Sequence, residues 1–316
     1  MSKGKVYVIA GATASGKTAI GVKLAKKLNG EVISADSMQV YKYMNIGTAK
    51  PTEDEKEGIV HHLLDVINPN EGFSVAEYQK LATLAINEII KKGKTPILVG
   101  GTGFYINAVL YDTEFSHDIH EDEVNMREKY IKLALVNGAE WVYEKLKNVD
   151  PEYSNIIHAN NIKRVARALA YCKITGKKFS EHNALQKEKK PVYDTMFCIL
   201  NMNRELLYDR INKRTLLMFE NGLEDEVRDL LSKGYDKNLT AMQAIGYKET
   251  LKFISGEIKF DEAVEDIQKS TRNYAKRQET WFRNQVKSAI KINVNNNSAT
   301  SVAEYLAKHE VLPGTK

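Results

Sequence analysis

Residues 11–18 read Gly-Ala-Thr-Ala-Ser-Gly-Lys-Thr, a match to the pattern G-x-x-x-x-G-K-[ST]. Gly11, Ala12, Thr13, Ala14, Ser15 and Gly16 form a loop whose glycines let successive backbone N–H groups turn inward around phosphate oxygens. Lys17 adds a point charge on the terminal phosphates, and the Thr18 hydroxyl is a ligand for Mg²⁺. The pattern requires a strand before it and a helix after it, and both are present. Val6–Ala10 is a run of β-formers, and Thr18–Leu28 carries helical spacing. The loop does not say which phosphate it grips. A triphosphate implies a kinase or NTPase, whereas a diphosphate is itself a leaving group.

Outward from the loop the alternation continues. Asn29-Gly30 ends the first helix, and Glu31–Ala35 reads as a buried strand running into Asp36. Ser74 and Glu77 make an S-x-x-E capping box for a helix through Ile90, closed by Lys91-Lys92-Gly93. Thr95–Val99 is the next strand and leads into Gly100-Gly101-Thr102-Gly103. Strands alternating with helices imply an α/β fold, a parallel sheet with helices on both faces. From 115 to 190 the pattern is helical only, and Tyr193–Leu200 is again a strand. The expected organisation is an α/β core of 1–114 and 191–316, ending in long helices, with an inserted all-helical domain at 115–190. One late helix is expected from about Asp261 to Ala289, followed by a short strand and a loose tail.

Composition narrows the class. The chain has 316 residues, 43% hydrophobic and 28% charged, which is ordinary for a globular protein. A net charge of +5 permits nucleic-acid binding without requiring it. Cys172 and Cys198 stand far apart and offer neither a disulfide framework nor a metal pair, so a reducing cytoplasm is expected. No stretch approaches the ~18 apolar residues of a membrane span. The opening residues lack the apolar core of an export signal. Nothing marks an oligomer interface, and a monomer is expected. His61-His62 are sequence neighbours that point apart, so they read as packing residues rather than a metal pair.

Asp36 ends the second strand at the carboxyl edge of the sheet, where ligands of α/β folds bind. It reads as a Mg²⁺ aspartate or as a general base facing a second substrate, against the plainer alternative of a turn or N-cap residue. The words around it are distinctive in combination. They are Asp-Ser-Met-Gln-Val-Tyr (36–41), Ile-Gly-Thr-Ala-Lys-Pro-Thr (46–52), Gly-Gly-Thr-Gly-Phe-Tyr (100–105) and Arg-Ala-Leu-Ala-Tyr (167–171). Further on come Met-Gln-Ala-Ile-Gly-Tyr-Lys-Glu (242–249) and Tyr-Ala-Lys-Arg-Gln-Glu-Thr-Trp-Phe-Arg (274–283). With the loop, these resemble the tRNA dimethylallyltransferases (tRNA isopentenyltransferases) of bacterial type, over nearly the whole chain. Ala12, Tyr43 and Phe104 depart from the proline, glycine and leucine usual there; none removes a polar group that the chemistry needs.

The resemblance implies a P-loop NTPase-like core and a reaction between dimethylallyl diphosphate and the adenine 3′-adjacent to the anticodon of a tRNA. The adenine N6 attacks C1 of the donor and diphosphate leaves. A carboxylate at Asp36 suits removal of the amine proton. The loop amides, Lys17, Mg²⁺ at Thr18 and a cation at Arg214 suit the charge of the departing diphosphate. Ser37, Met38, Gln39 and Thr102 fall where the family contacts the target adenosine. Asn160, Asn161, Ile162, Lys163 and Arg164 fall where its inserted domain meets the anticodon stem-loop. Met242, Gln243, Ala244, Ile245, Gly246 and Tyr247 form another RNA-contacting segment. An adenine in a loop must be extruded to be reached.

Charge supports RNA independently. Lys269, Arg272, Lys276, Arg283, Lys287 and Lys291 recur at helical intervals and predict a continuous cationic stripe suited to a phosphate backbone. Lys163, Arg164 and Arg167 repeat the theme in the insertion. The main alternative is a small-molecule kinase transferring phosphoryl from ATP, which explains the loop equally but the basic helix poorly. A GTPase-like switch lacks the N-K-x-D motif.

Overall fold

The computed structural model describes residues 4–111, 120–188, 191–286 and 288–308. The chain divides into two compact units, Met1–Asp112 with Pro191–Lys316, and Thr113–Lys190. The domain limits expected at 114/115 and 190/191 fall next to or within stretches outside the described residues.

In the first unit, β1 (Lys5–Gly11), α1 (Lys17–Lys27) and β2 (Gly30–Ala35) lead to the short α2 (Glu53–Lys56) and β3 (His61–His62). Then come α3 (Val75–Lys91), β4 (Thr95–Gly100) and α4 (Gly103–Leu110). The second unit holds α5 (His120–Asn137), α6 (Ala139–Val149), α7 (Pro151–Ser154), α8 (Ile162–Thr175) and α9 (Phe179–Glu188). The chain returns to the first unit with β5 (Asp194–Asn201), α10 (Arg204–Glu220), α11 (Leu223–Ser232), α12 (Tyr247–Ile254) and α13 (Phe260–Gln285). It ends with β6 (Ile290–Asn293) and α14 (Ala299–Lys308).

Among the described residues the sheet has six strands in the order β3-β2-β4-β1-β5-β6, every pair parallel. β1 lies between β4 and β5, so the chain leaves it toward one side of the sheet and later fills the other. A ligand crevice opens above the carboxyl ends of strands at such a reversal. The loop after β1 is placed there by topology.

Period-two alternation sorts the side chains into two cores. Val6, Val8 and Ala10 face α3 and α4 with Tyr78, Ile86 and Ile106, and Phe282 of α13 joins them. Tyr7 and Ile9 face the opposite layer with Ile20 and Leu24 of α1. Val302, Ala303 and Leu306 of α14 complete that second layer, all 3% exposed or less. The expected loose tail is therefore an amphipathic helix from Ala299, with only 309–316 outside the described residues. α3 begins at the expected capping box: Ser74 Oγ accepts from Glu77 N at 3.2 Å, and Glu77 Oε2 accepts from Ser74 N at 2.6 Å.

Glu31 is buried beside His62. Its carboxylate accepts from His62 Nε2 at 2.7 Å and from Lys94 at 2.8 Å, with Lys92 at 3.3 Å. Burial pushes Glu31 up, but the bonds from Lys94, His62 and Lys92 together outweigh it and hold the carboxyl at about 2. His61 Nδ1 pairs instead with the carbonyl of Ile59 at 2.9 Å. The two histidines point apart, as expected of packing residues.

Candidate active site

The phosphate loop is shaped by backbone conformation. Gly16, at the head of α1, has φ 89°, a left-handed value that glycine adopts without strain. Ala14 holds φ 62° without that freedom. Ser15 Oγ is buried and has no hydrogen-bond partner among the described residues, a hydroxyl left available to an anion inside the loop. Lys17 reaches back so that its ammonium donates to the carbonyl of Ala12 at 2.6 Å. Burial pushes Lys17 down to about 8, against the upward pull of the Asp36 carboxylate, with Arg214 adding to the depression. Asp36 and Arg214 thus share the electrostatic field of the loop.

Arg214 comes from α10, and its Nη2 donates to Thr13 Oγ1 at 2.7 Å. One turn earlier, Arg210 Nη1 lies 3.8 Å from the position that a Cβ on Gly16 would occupy. Lys213 points away and pairs with Asp209 at 2.9 Å on the surface. Of three basic residues that periodicity places together, the fold brings two to the loop.

The turn after β2 is held from two sides. Asp36 Oδ1 accepts from Met38 N at 2.9 Å, an Asx-type turn that fixes the carboxylate. Thr102 Oγ1 accepts from Ser37 N at 3.1 Å, which ties this turn to the second glycine cluster. The Gln39 amide is engaged within the protein: Ser34 Oγ donates to its Oε1 at 3.1 Å, and its Nε2 donates to the carbonyls of Thr48 and Ala49.

Two residues to which the sequence pattern assigns no role complete the site. Gln278 of α13 is buried; its Oε1 accepts from Thr13 N at 2.8 Å and its Nε2 donates to Gly101 O at 3.0 Å. A Cβ on Gly101 would lie 2.1 Å from that Nε2, so residue 101 must be glycine for the bridge to form. Tyr274, one turn earlier, hydrogen-bonds with the side chains of Thr102 and Gln278, and burial raises its hydroxyl well above the usual tyrosine range. Both lie in the stretch 274–283, whose residues carry the family resemblance and part of the basic stripe but whose spacing gives neither side chain a role.

Other expected contacts are arranged differently. Met242 and Tyr247 are fully buried in the core around α11 and α12, so their side chains are not on the surface, and Gly246 caps α12; Gln243 is exposed, with Ala244 and Ile245 half-buried. The cationic stripe is broken. Val286 adopts an extended conformation and ends α13, so Lys291 stands on β6, and Lys287 lies outside the described residues. Arg272 turns inward to Asn212 Oδ1 at 2.7 Å. Lys269, Lys276, Arg277 and Arg283 remain exposed on α13.

In the second unit, considered by itself, Asn160, Asn161, Lys163, Arg164 and Arg167 are exposed around the start of α8, while Ile162 packs against that unit's core.

The chain as a whole has counterparts among known proteins. The sequence profile of IPP transferases matches residues 39–285. The chain belongs to the IPP transferase family. The matched region begins after the phosphate loop and Asp36, whose geometry stands independently of it. Relatives in this family include the tRNA dimethylallyltransferases of Acetivibrio thermocellus, 51% identical over 278 residues and 88% of each chain, and of Caldanaerobacter subterraneus, 50% identical over 281 residues, covering 88% of this chain and 89% of the relative. Among solved structures, the tRNA Δ2-isopentenylpyrophosphate transferase of Staphylococcus epidermidis is 41% identical, with a TM-score of 0.70 over 96% of this chain and 97% of that one. A eukaryotic dimethylallyltransferase acting on tRNA gives a TM-score of 0.81 at 30% identity, covering 96% of this chain and 78% of its own. These IPP transferases share the P-loop-like parallel sheet, and none points to phosphoryl transfer from ATP.

Proposed function

We propose that this chain transfers the dimethylallyl group of dimethylallyl diphosphate to N6 of the adenine 3′-adjacent to the anticodon of tRNAs, releasing diphosphate. The carrying observation is the placement of one carboxylate, Asp36, within the field of Lys17 and Arg214 and on a turn tied to Thr102. An anion-binding loop and an acceptor-facing base therefore adjoin. In the reaction the N6 lone pair forms a bond to C1 of the donor, the C1–O bond breaks with its electrons going to diphosphate, and Asp36 takes the N6 proton. The loop N–H groups, the Ser15 hydroxyl, Lys17 and Arg214 stabilise the charge that collects on the leaving group.

The donor set also suits Mg²⁺. No group of three or more His, Cys, Asp or Glu side chains placed to hold a metal ion occurs among the described residues, so they offer no closed cage. The Thr18 hydroxyl with phosphate oxygens and water is the kind of sparse, hard set that Mg²⁺ accepts. Bound there, the ion would lower the charge of the diphosphate.

Each unit by itself carries exposed cations suited to tRNA phosphates, on α8 in one and on α13 in the other. We place the chain in the cytoplasm as a monomer; no helix among the described residues is long and apolar enough to cross a membrane.

The test supplies unmodified tRNA and Mg²⁺ with labelled dimethylallyl diphosphate, and in parallel with labelled ATP. Label reaching tRNA from the prenyl donor alone is expected; label from ATP alone, or from neither, overturns the proposal. Asp36→Asn should lower kcat by about 10²- to 10⁴-fold, the usual worth of a general base, with tRNA affinity little changed.

A further inference from the structure

Glu226 lies near the start of α11, outside the motifs quoted above. Its carboxylate accepts from three consecutive backbone N–H groups: Oε2 from Asn45 and Ile46, each at 2.8 Å, and Oε1 from Gly47 at 3.1 Å. Oε1 also accepts from the hydroxyl of Tyr247 at 2.6 Å. The Tyr247 ring is fully buried and packs on Gly47, where a Cβ would come within 2.4 Å of it. Four donors converging on one anion make a charge-assisted clamp, stronger than neutral hydrogen bonds of the same number.

The clamp acts on more than its own loop. The carbonyls of Thr48 and Ala49, which follow the pinned residues, accept from Gln39 Nε2 at 3.3 and 3.1 Å. Gln39 directly follows the turn in which Asp36 Oδ1 accepts from Met38 N. Hydrogen bonds joined by short stretches of backbone therefore lead from Glu226 through residues 45–49 and Gln39 to the turn that holds the carboxylate proposed as base. The phosphate loop is held by other groups, Gln278 and Arg214.

From this relay we infer that Glu226 is a positioning residue for the acceptor side of the reaction. It sets the 36–39 turn against the incoming base and leaves donor binding to the loop. The function of the turn rests on the proposed transfer to tRNA; the relay itself does not.

Glu226→Gln tests both parts, because the glutamine amide sets an N–H₂ donor against backbone donors. In the full-length protein without substrates, amide exchange at Asn45, Ile46 and Gly47 should accelerate by about tenfold or more, as a local opening becomes easier. In steady-state turnover, kcat/KM for tRNA should fall by roughly ten- to a hundredfold with KM for dimethylallyl diphosphate within about twofold of wild type. Tyr247→Phe keeps the buried ring and removes one donor, and should reproduce the same split at roughly three- to tenfold. Unchanged exchange at 45–47, or equal increases in both KM values, overturns the assignment. A wild-type chain that prenylates no tRNA removes the proposed function and Glu226's acceptor role with it. That failure is separate, since exchange then still decides the relay.

Discussion

Replacing Gln278 by methionine isolates the bridge between the phosphate loop and the second glycine cluster. Methionine fills nearly the same volume, and swaps of this kind cost under about 1.5 kcal/mol in packing. What it removes is specific. The amide of Thr13 loses its acceptor at 2.8 Å, and the buried carbonyl of Gly101 loses its donor at 3.0 Å. A buried backbone group left without a partner costs ~1–3 kcal/mol. Thr13 is only half-buried and regains water in part, so the sum expected is about 2–4 kcal/mol. Urea unfolding followed through Trp281, one turn from the substitution, in a Trp141→Phe background reads the α/β unit alone. Thr13 also accepts from Arg214, so loosening it should raise KM for the diphosphate donor by about tenfold, near 1.4 kcal/mol. A stability loss below about 0.5 kcal/mol would refute the claim that Gln278 satisfies both backbone groups.

Three further outcomes are expected. The Glu31 carboxyl lies at about 2 in the folded chain against an ordinary 4.5, so its contribution is complete above pH 4.5 and is lost as pH falls toward 2. That contribution is at most ~3 kcal/mol, since Lys92 and Lys94 are part-exposed and screened, and Glu31→Gln should flatten the decline of urea midpoints over this window. Leu306→Ala should destabilise by about 2–4 kcal/mol in thermal or urea unfolding, whereas a loose tail would register almost nothing. Tyr43 has φ 68°, yet its ring lies tilted against Tyr235 at 6.4 Å and under the Lys233 ammonium at 5.6 Å. Tyr43→Gly should leave the melting midpoint nearly unchanged, as ~1 kcal/mol of relieved strain offsets the lost contacts, while Tyr43→Val should lower it.

The sequence made the loop, the strand ends and the second glycine cluster legible because each is a local device. A strand, a glycine turn and a helix must adjoin in the chain to bind phosphate, so their spacing is visible in it. Tyr43 belongs with them: its left-handed backbone explains why glycine is usual at that position. Gln278, Tyr274 and Glu226 were not legible, because each acts across a long separation and no spacing announces its partner. Charge was informative about the character of α13 and misleading about its length. Val286-Lys287-Ser288-Ala289 contains neither glycine nor proline, so nothing in the composition marks the extended residue that ends the helix. Met242 and Tyr247 show a related limit, since a motif can mark a segment whose side chains are core and whose influence passes through what they hold.

Helix α13 runs for 26 residues, about 39 Å at 1.5 Å per residue. Within it, Tyr274 addresses Thr102, Gln278 addresses the phosphate loop and Phe282 enters the core, all at four-residue steps along one face. Each residue of an α-helix turns the next by about 100°, so one added or deleted residue ahead of Tyr274 would swing all three away together. α13 thus works as a gauge of fixed length, and surface substitutions along it should be tolerated where insertions and deletions are not.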